Sequence, residues 1–86
     1  MLAGPIADDL YELRARTIDR IGAIAGRFAP GADTETIEAY AHAISGAGEQ
    51  LGRWWIHHPH IPRPRVVDRY VTIAVAALTA LAASPS

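Results

Sequence analysis

A chain of 86 residues has room for one domain, which excludes enzymes built on large α/β scaffolds. Half of its residues are hydrophobic and only 20% are charged, more apolar material than the interior of so small a body holds. Eight basic residues, all arginine, stand against nine acidic ones, and a net charge of −1 gives no electrostatic footprint for nucleic acid or an anionic membrane.

Gly4-Pro5, Pro30-Gly31 and the run Pro59 to Pro64 are the strong breakers, and three segments with helical periodicity lie between them. The first is expected over residues 5–28. Ile6, Leu10, Leu13, Ile21, Ile24 and Phe28 step by three or four, with Thr17 filling the gap, so they share one face. Pro5 suits the first turn, and Asp8 and Asp9 complement the positive end of the helix dipole.

The second helix is expected over about 33–58. Asp33 or Thr34 serves as N-cap, and Pro59 disfavours helical geometry in the residue before it. Its apolar face runs through Ile37, Tyr40, Ala41, Ile44, Ala47, Gly48, Leu51, Trp54 and Trp55. Gly46, Gly48 and Gly52 inside it each cost about 1 kcal/mol relative to alanine. That cost is offset where another backbone approaches closely, either within the chain or across a subunit boundary, and the hydrophobic surplus favours the second.

The third helix is expected over about 63–83. Val67, Tyr70, Val71, Ala74, Ala77, Leu78 and Leu81 form one stripe, and Val66, Ile73, Val75 and Ala80 cover much of the remainder. A helix apolar nearly all round is buried nearly all round, and two short neighbours hardly wrap it. The expected fold is therefore all-α: an antiparallel three-helix segment whose last two helices pair with a symmetry mate as a four-helix bundle. Gly48, Leu51, Trp55, Val71, Val75 and Leu78 are the expected dimer contacts, and Tyr40, Ile44 and Trp54 the expected wall of an apolar ligand pocket.

Other chemistry finds less support. His57, His58 and His60 carry metal-binding side chains, but no histidine pair falls at i, i+4 and no carboxylate is near, so no metal or other cofactor is expected. His42, Ser45 and Glu49 share a helical face without the elbow, oxyanion hole or cleft that a nucleophile needs, so an enzyme is not expected. Arg63, Arg65 and Arg69 are interrupted by Asp68 and read as a solvated helix face. Without cysteine there are no disulfides or thiolate sites. The start has no basic and apolar leader, and the apolar stretch Val71 to Ala83 falls short of the roughly 20 residues of a bilayer span, so a cytoplasmic chain without a membrane partner is expected.

The stretch Ala41 to Pro59, with its glycine, small residues, tryptophan pair and His-Pro turn, resembles the penultimate helix of TetR-family transcriptional regulators. Pro62 to Tyr70 and the alanine-leucine end resemble the start and body of the family's last helix, so the likeness covers residues 33–83, with Gly46, Trp54 and Trp55 matching the motif. The resemblance implies a dimerisation module that accommodates a small apolar effector. No helix-turn-helix is read in this chain, so it is not expected to bind nucleic acid by itself. A free-standing helical module that binds an unlike protein, as an adaptor or antitoxin does, is the alternative.

Overall fold

The computed structural model describes the backbone of residues 5–83 and the side chains of residues 8, 9 and 11–83. Three α-helices account for nearly all of it: α1 Pro5–Phe28, α2 Thr34–Ile56 and α3 Arg63–Ala83. The breakers act where the sequence places them. Asp33, in extended geometry, caps α2 by accepting the Thr36 backbone N–H at 2.7 Å, and this bond holds its carboxyl below the usual carboxylate range. At the other end His57 closes α2, its backbone N–H turned to the carbonyls of Trp54 and Trp55.

Small residues bring α1 against α2. The space beside Gly22 is bounded by Ala41 and Ile37, that beside Gly26 by Ile37, and further along Arg14 pairs with Glu49 at 2.7 Å. Across α2, the ring of Tyr70 from α3 lies over Gly48, and its hydroxyl donates to the Ile44 carbonyl at 3.1 Å. α1 and α3 meet through one cluster, in which Leu81, only 1% exposed, packs with Ala25 and Ala29, ringed by Ala32, Ile37, Tyr40 and Leu78.

That cluster holds half of the buried core among the described residues. Six hydrophobic residues are buried among those described, and three of them are alanines. The Cα trace measures 42 × 34 × 14 Å, with a radius of gyration of 14.8 Å. A compact domain of this length has a radius of about 12 Å. The accessible surface is 6493 Å². Area scaling gives about 4,900 Å² for a compact chain of this mass, so roughly 1,600 Å² is exposed in excess.

One expectation from the sequence needs correction. The face of α1 that packs inward runs through Ile18, Ile21, Gly22 and Ala25 and continues to Ala29 just past the helix; of the expected stripe Ile21 lies on it, while Leu13 and Phe28 are 60% and 55% exposed and Ile24 is also exposed. The contact face is rotated by one residue, about 100° of helix. The cause is size: glycine and alanine admit a close helix approach that leucine and phenylalanine on the same face would hold off. Ile6 and Leu10 lie outside the described side chains. α3, at 21 residues, is by length and composition alone long and apolar enough to cross a bilayer, with Asp68 and Arg69 in its opening turns.

Candidate functional site

From their junction at Leu81, α1 and α3 diverge towards their N-terminal ends and leave a groove above the second half of α2. Its volume is about 850 Å³ and it opens widely to solvent. α2 provides the floor through Ser45, Gly48, Leu51, Gly52 and Trp55, with Ile56 at the far end. α1 contributes Leu13 and Thr17 to one wall, and α3 contributes Val66, Val67 and Tyr70 to the other. Arg14, Glu49 and Arg53 mark the rim, where Arg14 and Glu49 neutralise each other.

Local geometry explains why the groove stays open. Tyr70 is the one large side chain that reaches across α2, and Gly48 makes room for it: a Cβ at that position would lie 3.1 Å from Tyr70 Cε1 and 3.3 Å from Cζ. Partial burial pushes the Tyr70 phenol pKa up from its ordinary value of 10.0. Beyond Tyr70 nothing fills the floor. A Cβ at Gly52 would meet nothing within 4 Å, and the same holds for Gly46 on the outer side of α2. Of the three helical glycines singled out in the sequence, then, only Gly48 is used for packing inside the chain.

The groove gathers three of the expected dimer contacts, Gly48, Leu51 and Trp55. Val71 and Val75 continue from Val67 along the same edge of α3 and are 50% and 54% exposed. Leu78 is turned further inward, against the Leu81 cluster. The expected ligand wall is not assembled in the groove. Tyr40 packs beside the Leu81 cluster, Ile44 is buried under Tyr70, and Trp54 sits on the outer side of α2. There its ring stacks on His58, with centroids 4.8 Å apart and planes inclined by 26°.

Adjacent tryptophans thus do different work. The Trp55 indole N–H donates to the Ile61 carbonyl at 2.8 Å, clasping the loop between α2 and α3, whereas Trp54 lies against solvent. The histidines do not converge. A carbonyl cannot donate, so His58 Nδ1 carries the proton in its 2.8 Å bond to the Trp54 carbonyl. The His58 and His60 rings lie 6.0 Å apart, and among the described residues no group of three ligating side chains surrounds a common point. His42, Ser45 and Glu49 also go separate ways, His42 to the Glu38 carbonyl at 2.8 Å and Glu49 to Arg14.

A pocket beside the first helix was expected, but not Leu13 and Thr17 as its wall. Leu13 and Thr17 belong to a stripe that periodicity assigns to the interior, and only the actual helix rotation turns them to the groove. No protein-family model matches this chain, and neither a curated protein nor a solved structure is similar to it.

Proposed function

We propose that the chain is a self-associating helical module: two copies pair as a homodimer and hold a small apolar effector in the space left between them. The observation that carries this reading is the excess of exposed surface, to which Leu13, Phe28, Val71 and Val75 contribute apolar side chains. Roughly 1,600 Å² in excess on each of two chains totals about 3,200 Å², within the 2,000–5,000 Å² of obligate homodimer interfaces and far above a crystal-type contact. The contacts Gly26 with Ile37, Gly22 with Ala41 and Arg14 with Glu49 favour antiparallel neighbours, the arrangement from which a bundle with a symmetry mate is assembled. A groove of about 850 Å³ falls in the range of small-molecule sites, and a roof would give a ligand the enclosure that an open groove withholds. The likeness of residues 33–83 to the TetR regulatory half points the same way. In that reading the chain works without catalysis, and any influence on DNA passes through whatever it is joined to.

Sedimentation equilibrium between 1 and 100 μM tests the reading. A dimer with unchanged helical circular dichroism is the expected result; a folded monomer across the whole range refutes it. The outward valines of α3 favour a second reading, in which that helix lies in a bilayer. Flotation with phosphatidylcholine vesicles separates the two, since a dimer that has covered its valines stays with the soluble fraction.

A further inference from the structure

The expected dimer face draws only on α2 and α3, yet α1 carries an apolar stripe of its own that none of the described residues covers. We infer that the groove face is covered by a second copy of this chain, and that α1 enters the interface through Leu13, Ile24 and Phe28 beside Val67 and Val71 of α3. This rests on the homodimer reading and names its surface.

Three observations converge on that face. Leu13, Ile24 and Phe28 fall on one side of α1 and are all exposed, although leucine, isoleucine and phenylalanine are among the residues most often buried. Leu13 lines the same groove as Val67, so the α1 stripe and the valine edge of α3 are its two banks. Between them the floor at Gly52 is open to closer approach, at a cost in helix propensity that no contact within the chain offsets. By contrast, the outer side of α2 carries Glu38, His42 and Gln50 among the small Ala39 and Ala43, with Trp54 as its one large apolar side chain among the described residues.

The area argues for a second copy rather than a small molecule as the main cover. A single ligand in the groove leaves Ile24 and Phe28 in water, because neither lines it. A symmetric pairing places each chain's stripe against the other's and removes both from solvent.

Charge placed on this face tests the inference. Phe28→Glu and Leu13→Glu each put a carboxylate where the monomer is already open, so the helical fold survives and association weakens at least tenfold by sedimentation equilibrium. Ala23→Glu, on an exposed side of α1 away from the stripe, is the control and leaves association unchanged. If Phe28→Glu and Leu13→Glu dimerise as tightly as the parent while Ala43→Glu on the outer side of α2 dissociates, the dimer stands and this surface is wrong. If the parent itself is a folded monomer, both the dimer and its surface fall. Circular dichroism of each variant separates lost association from lost folding.

Discussion

The two ends of this small molecule solve the same problem differently. At one end Leu81 is enclosed by Ala25 and Ala29, with Tyr40 and Leu78 around them, and three helices share one contact. At the other, α1 and α3 part company, and Leu13, Ile56 and Val67 face an open groove. The first end shows what 86 residues achieve alone: one leucine fully sealed. The second shows what they leave undone. Stability within the chain and readiness to associate are therefore spatially separated, and substitutions should report one or the other.

The largest effect on folding belongs at the closed end. Leu81→Ala removes the one large side chain that is fully buried among the described residues, and should cost about 2–4 kcal/mol by chemical denaturation. Val71→Ala, from a half-exposed position on the same helix, should change the folding free energy of the monomer by only about 0.5 kcal/mol while weakening association. Equal losses at the two sites would dissolve the distinction between the ends.

Tyr70 sits on the boundary. Tyr70→Phe deletes the bond to the Ile44 carbonyl but keeps the ring over Gly48, and should cost about 0.5–1 kcal/mol. It also carries a pH signature. The folded phenol holds its proton to a higher pH than the unfolded one, so its share of stability is intact below pH 10.0 and is lost as pH rises through the folded value. A denaturation series from pH 8 to 11 should show an alkaline decline that is shallower in Tyr70→Phe. Identical pH profiles would mean that the hydroxyl is not held as described.

The smallest effect distinguishes the glycines. Gly46→Ala adds a methyl where nothing lies within 4 Å and should stabilise the monomer by up to about 1 kcal/mol through helix propensity. The same methyl at Gly48 presses on Tyr70 and should not share that gain. A melting temperature raised equally by both would show that Tyr70 yields freely.

Much of the architecture was legible from the residues. Pro30-Gly31, Asp33 and Pro59 locate the helix ends because caps and breakers act locally, and the excess of apolar residues is recovered as exposed surface. The rotation of α1 was not legible, because a count of large hydrophobic residues overlooks the close packing that Gly22 and Ala25 permit. Nor was the groove, which depends on how far two helices that are never neighbours in sequence diverge. The separation of Trp54 from Trp55 follows from the roughly 100° between adjacent helix positions, but no periodicity encodes the Ile61 carbonyl as the partner of Trp55.

That indole bond also limits how two chains come together. Domain exchange requires the hinge between α2 and α3 to straighten so that α3 leaves its own chain. Straightening breaks the Trp55 to Ile61 bond and withdraws Tyr70 from Gly48 in the same motion. In the proposed dimer, chains clasped in this way would meet as finished bodies, face to face, rather than by trading helices.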